Sequence, residues 1–66
     1  MATINDYRRA AYAADDAFSA ELRRVYGARA SDMRYVTWEY PDERLRAAKH
    51  KKLEADAALR EAEFGA

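Results

Sequence analysis

A chain of 66 residues holds one small domain, which we place at residues 1–66, and its 12 basic and 12 acidic residues leave no net charge. The lack of cysteine excludes a disulfide framework, and the charge balance removes the usual electrostatic argument for a nucleic-acid or membrane-surface partner. No apolar run approaches the roughly 18 residues of a membrane span, and no signal peptide is recognisable. We therefore expect a cytoplasmic protein that makes no contact with membranes.

The first predicted helix covers residues 3–26. Thr3 and Asp6 have the spacing of a capping box, and Gly27 suits the left-handed backbone that follows many helices. One apolar stripe recurs at helical spacing, and it consists of Ile4, Tyr7, Ala11, Ala14, Phe18, Leu22 and Val25. Beside it runs a second arc made only of alanines, which we call the alanine arc: Ala10, Ala13, Ala17 and Ala20. The first helix thus has more apolar surface than one neighbouring helix covers.

A connector of 14 residues, 27–40, follows, whereas antiparallel helices are normally joined by about 2–8 residues. Its second half is aromatic and β-branched, which is compatible with a short strand, with an extended segment across the helix ends, or with a segment ordered by a partner. Tryptophan, tyrosine and arginine are enriched at binding hot spots, so the candidate partner-binding residues are Arg34, Tyr35, Trp38 and Tyr40. The alternative is that Tyr35 and Trp38 fold back and close the open end of a hairpin.

The second predicted helix covers residues 41–64, with Pro41 at its first position and acidic residues in its first turn. Its main stripe consists of Leu45, Ala48, Lys52, Ala55, Leu59 and Ala62, and a narrow separate stripe consists of Leu53, Ala57 and Phe64. Two helices of similar length predict an all-α antiparallel helical hairpin with a long aromatic connector. Because the core of one hairpin is thin, we expect it to dimerise into a four-helix bundle. The alternative is that alanine serves only helix propensity.

Residues able to perform catalysis are scarce. The single histidine, His50, lies between two lysines on the side of the helix opposite the apolar stripe, and Asp15 and Asp16 project about 100° apart. No phosphate loop, nucleophile elbow or metal-ligand spacing is present in the sequence. We therefore predict no enzymatic activity, no catalytic or metal-binding residue and no cofactor.

Charge in the second helix runs against the helix dipole, with a basic start and an acidic end. Three explanations remain open: a solvated surface, charge matching with another subunit, and an acidic external partner. The basic residues also suggest a second function, a small nucleic-acid-associated factor that would use Arg29, Arg34, Arg44, Arg46 and Lys49. The basic side chains of the second helix spread nearly all around it, however, which disfavours this function.

Residues 25–35, with the sequence VYGARASDMRY, carry a resemblance to a known group. The chain resembles the small two-helix proteins of unknown function that are encoded by bacteriophages and other bacterial mobile elements, and the matching positions are Gly27, Ala30, Arg34 and Tyr35. The chain departs from them after Tyr35, where a glycine-rich stretch would be expected. The resemblance implies a phage or prophage context, a host-cell cytoplasmic location and no known activity.

These observations together predict a non-enzymatic accessory protein that binds another protein through the aromatic connector. In a phage context, the most concrete form is an inhibitor or modulator of a host enzyme or defence complex. The alternatives are the nucleic-acid-associated factor and a structural subunit of a phage assembly.

Overall fold

The computed structural model describes residues 2–65, and Met1 and Ala66 of the predicted domain lie outside the described residues. Helix α1 spans Ile4–Tyr26, a short 3-10 turn spans Gly27–Arg29 and helix α2 spans Glu43–Phe64, with no strand in the described part of the chain. The two helices pack against each other as an antiparallel hairpin, with extents of 38 × 19 × 19 Å. The predicted all-α hairpin is thereby confirmed, and none of the described connector residues forms the strand that was one of its expected conformations.

Local signals determine both ends of α1. The Thr3 hydroxyl accepts a hydrogen bond from the Asp6 N–H (3.3 Å), and the Asp6 carboxylate accepts one from the Thr3 N–H (2.9 Å), which completes the predicted capping box. At the other end Gly27 has a φ of +57°, which L side chains rarely adopt, and its N–H donates to the Arg23 carbonyl. The chain can therefore turn away from the helix axis immediately after Tyr26.

Helix α2 begins later than predicted. Asp42 has an extended backbone (φ −79°, ψ 125°), and its carboxylate accepts a hydrogen bond from the Leu45 N–H at 2.9 Å, so Asp42 is the N-cap and Glu43 the first helical residue. The expectation that Pro41 occupies the first helical position was therefore wrong by two residues. The Asp42 carboxylate accepts a hydrogen bond from a free N–H at the start of α2. A proline at the first helical position would only remove one such N–H.

The core lies at the connector end of the hairpin. It is centred on Phe18 and Leu22 of α1, Tyr40 of the connector and Leu45 of α2, all of them buried. The partly buried apolar residues around this centre are Val25, Tyr26, Ala30, Met33, Val36 and Ala48. All three segments of the chain therefore contribute to one cluster, and the connector is part of the core.

Burial follows the predicted stripes except at Ile4, which is 38% exposed. Ala11, Phe18 and Leu22 are buried in α1, whereas the alanine arc is exposed along its whole length. In α2 the main stripe is buried or half-buried, and Leu53 and Phe64 of the separate stripe are exposed. Each helix thus leaves one predicted apolar surface uncovered by the hairpin.

Candidate protein-binding surface

The connector folds back onto the helices through its own turns. The Ala30 N–H donates to the Gly27 carbonyl (3.1 Å), and the Met33 N–H donates to the carbonyls of Arg29 and Ala30 (both 3.2 Å). Beyond Tyr35 the backbone is irregular up to the cap of α2. Contacts within the chain therefore order this segment, and they determine which of its side chains face outward.

Tyr40 holds the connector in place. Its side chain is completely buried, with ring centroids 6.0 Å from Phe18 and 6.2 Å from Tyr26. Its hydroxyl donates to the Met33 carbonyl at 2.6 Å and lies 3.3 Å from the Arg34 carbonyl. Burial raises the pKa of the Tyr40 phenol. One side chain thus joins the two halves of the connector and packs both against α1.

Arg34 fixes the connector to α1 from outside the core. Its guanidinium donates to the Asp15 carboxylate and to the Ser19 hydroxyl (2.9 Å), and it lies over the Phe18 ring at 5.3 Å from the centroid. Arg34 is therefore half-buried, and much of its hydrogen-bonding capacity is used inside the hairpin.

Two cations of α2 bind the connector from the other side. The Arg46 guanidinium donates to the Tyr40 carbonyl (3.0 Å), and the Lys49 ammonium lies 3.4 Å from the Val36 carbonyl and 5.1 Å from the centroid of the Tyr40 ring. The basic start of α2 thus satisfies carbonyls of the connector. None of the three explanations open from the sequence includes this intrachain role, because nothing in the sequence shows where the connector lies.

Two aromatic side chains of the connector remain at the surface. Tyr35 is 82% exposed, and Trp38 is 47% exposed with its ring edge-on to Tyr40 at 5.6 Å. Beside Tyr35 an open groove of about 280 Å³ separates the connector from α2; we call it the Tyr35–Leu53 groove. Its lining residues are Phe18, Arg34, Tyr35, Val36, Lys49, Lys52 and Leu53. The exposed aromatics and the groove form the candidate protein-binding surface.

The structure divides the four predicted site residues. It places Tyr35 and Trp38 at the surface, Arg34 half-buried between the connector and α1, and Tyr40 in the core. A buried phenol presents no surface to a partner, so Tyr40 has a packing role here. The alternative was that Tyr35 and Trp38 fold back and close the hairpin. Tyr40 is instead the connector aromatic that is fully buried there. Leu53 was not among the predicted site residues, and its place in a separate apolar stripe was the signal that could have found it.

Other kinds of site are not visible in the described residues. Within residues 2–65 no group of three or more histidine, cysteine, aspartate or glutamate side chains is placed to hold a metal ion. Neither described helix is long and apolar enough to cross a membrane. His50 is exposed, and its Nε2 atom lies 3.5 Å from the Glu39 carboxylate.

The fold and the surface define a small helical hairpin whose connector is packed as part of its core. The chain matches no family model, no curated protein and no solved structure.

Proposed function

We propose that this chain is a non-catalytic protein-binding module whose contact surface consists of Tyr35, Trp38 and the Tyr35–Leu53 groove. One observation carries the proposal: the connector is pinned by the completely buried Tyr40 while Tyr35 stays 82% exposed. Tyr35 lines the Tyr35–Leu53 groove with Val36 and Leu53, and an exposed apolar patch of this kind marks an interaction surface.

The pinned backbone favours tight binding. Aromatic residues supply large contact area for few rotatable bonds, and a backbone that is already ordered loses little entropy when it meets a partner. Tyr40, Arg34 and Arg46 hold the connector at three points, so Tyr35 and Trp38 are preorganised.

A protein partner fits the charges better than a nucleic acid does. Of the five cations that the nucleic-acid alternative would use, four already have partners within the chain: Arg34 with Asp15, Arg44 with Glu21, Arg46 with the Tyr40 carbonyl and Lys49 with the Val36 carbonyl. A phosphate would have to compete with these contacts, and affinity for nucleic acids depends on the number of phosphates neutralised.

The biological setting of the proposal comes from the resemblance to phage-encoded two-helix proteins. In that setting the chain acts in the cytoplasm of a bacterial host and binds a host enzyme or defence complex so as to inhibit or modulate it. This part of the proposal rests on residues 25–35 alone.

Self-association is a second part of the proposal, and the exposed area of the hairpin supports it. A compact monomer of 7.6 kDa is expected to expose about 4,300 Å², whereas this chain exposes 4968 Å². The excess of roughly 700 Å² approaches the roughly 800 Å² that each partner buries in a standard interface. Two hairpins that pack helix against helix over such an area form a four-helix bundle.

Affinity capture from a bacterial lysate tests the external partner. The full tagged chain is compared with Tyr35→Ala and Trp38→Ala, and Tyr12→Ala serves as a matched control because Tyr12 is an exposed tyrosine outside the groove. We expect the two connector variants to lose a specific protein at least about tenfold while the control retains it, since hot-spot aromatics contribute about 2 kcal/mol or more. Equal capture by all four chains would refute the proposal.

A further inference from the structure

The two apolar surfaces that the hairpin leaves exposed lie on opposite sides of it. On one side Glu21 of α1 binds Arg44 of α2 at 2.8 Å, and Ala17 of the alanine arc is one helical turn from Glu21. On the other side Arg34 binds Asp15 and lines the Tyr35–Leu53 groove. One partner molecule that packs flat against the hairpin therefore covers one of these surfaces and not both.

The groove side exposes larger apolar side chains than the alanine arc does. Phe64 lies 11 residues beyond Leu53, about three helical turns, so both side chains lie on the same stripe of α2. Leu53 is 52% exposed and Phe64 is 81% exposed, whereas the alanine arc offers only methyl groups. Because hydrophobic stabilisation scales with the apolar area removed from water, covering the groove side contributes more than covering the alanine arc.

The charges that line the groove indicate which kind of surface binds there. Three cations and no acidic residue line it among the described residues. Arg34 is paired with Asp15, and Lys52 is paired with Asp56. Lys49 contacts only neutral groups, the Val36 carbonyl and the Tyr40 ring, so no described residue neutralises its charge.

The C-terminal half of α2, residues 53–64, has the opposite character, with four acidic residues, one basic residue and the exposed Phe64. Asp56 and Glu63 are paired with Lys52 and Arg8, but Glu54 and Glu61 are in no ion pair among the described residues. The half-helix therefore has an apolar anchor and negative charge that complement the groove and its Lys49.

We propose that the Tyr35–Leu53 groove binds the C-terminal end of α2 from a second copy of this chain, with Phe64 as the anchor. The inference rests on the proposed self-association and names its surface. Each copy carries one groove and one Phe64, so two copies that exchange these contacts form a closed, symmetric dimer. The alanine arc stays outside this interface.

The dimer also regulates access to the connector. Phe64 of the second copy covers Tyr35, whereas Trp38 does not line the groove. An external protein that needs Tyr35 therefore competes with self-association, and the free surface exists in the monomer.

Sedimentation equilibrium of the full chain, from one to several hundred micromolar, tests the interface. We expect the wild type to dimerise, Phe64→Ala to raise the dimer dissociation constant at least about tenfold, and Ala17→Glu in the alanine arc to leave it unchanged. Phe64 and Ala17 are both exposed, so helicity by circular dichroism should be the same in all three chains. A monomeric wild type, an unaffected Phe64→Ala variant, or a dimer broken only by Ala17→Glu would each overturn the inference.

Salt and partner capture add two readouts. Raising the salt concentration should weaken the wild-type dimer, because the groove and the end of α2 carry opposite charges, and dimerisation that strengthens with salt would contradict the proposed contact. In the lysate experiment Phe64→Ala should capture more of the external protein than the wild type does. The sedimentation result needs no external protein, so the failure of partner capture and the failure of dimerisation are separate outcomes.

Discussion

The two ends of the hairpin are built differently. At the connector end Phe18, Leu22, Tyr40 and Leu45 form a closed cluster with polar contacts around it. At the far end the two helices share the half-buried Tyr7 and Leu59 and one ion pair, Arg8 with Glu63, at 3.5 Å. The comparison shows that a connector can supply the core that two alanine-rich helices lack. It also implies that stability falls from the connector towards the chain ends.

The same leucine substitution at each end gives the largest expected contrast. Leu45→Ala removes a completely buried side chain and should cost about 2–5 kcal/mol, which approaches the whole stability of a domain of this size. Leu59→Ala removes a half-buried side chain and should cost about 1 kcal/mol. Chemical denaturation measures both, and equal losses would contradict the difference between the ends.

Tyr40→Phe tests the polar half of the anchor. It keeps the ring and loses the hydrogen bond to the Met33 carbonyl and the longer contact with the Arg34 carbonyl, so we expect a loss of about 1–2 kcal/mol. Burial raises the pKa of the Tyr40 phenol, so the folded state favours the neutral form. Its contribution is complete below the ordinary tyrosine pKa of about 10 and is lost as the pH rises further. The wild type should therefore lose more stability than Tyr40→Phe between pH 9 and pH 11, roughly one unit either side of that pKa.

Arg34→Ala and Arg8→Ala compare one ion pair at each end. Because Arg34 binds Asp15 and Ser19 and covers Phe18, we expect Arg34→Ala to cost about 1 kcal/mol. Arg8→Ala breaks an exposed pair at 3.5 Å and should change the melting temperature little. If the two variants melt alike, Arg34 does not hold the connector.

Asp42→Asn gives the smallest expected change and depends on pH. The Leu45 N–H and the Arg24 guanidinium both favour the Asp42 carboxylate and lower its pKa. The contribution of its charge is present above the ordinary pKa of about 4 and is lost as the pH falls through the lowered value. Asparagine still caps the helix, so the variant should melt slightly below the wild type at pH 7, and the difference should shrink at pH values well below 4. Thermal melts at several pH values measure it.

Part of the candidate site was accessible from the sequence. Tyr35 and Trp38 were predicted as candidate binding residues from residue type and from the length of the connector, but whether they are exposed or fold back was left open. Leu53 was visible only as a member of a stripe, because its place in the groove depends on how the connector crosses α2. The sequence could not show that Tyr40 is the buried aromatic residue of the connector, since the turns of residues 27–35 decide which ring enters the core.

By itself the sequence determined the two helices, the capping box at Thr3, the turn at Gly27 and the faces that are buried. These features depend on interactions within about four residues and on the period of 3.6 residues per turn, both of which can be read along the chain. The tertiary structure alone decided that Tyr40 is the anchor, that Arg34, Arg46 and Lys49 hold the connector, and that the two exposed apolar surfaces lie on opposite sides. Each of these features joins residues from different segments, and no local pattern encodes how a 14-residue connector folds back across two helices.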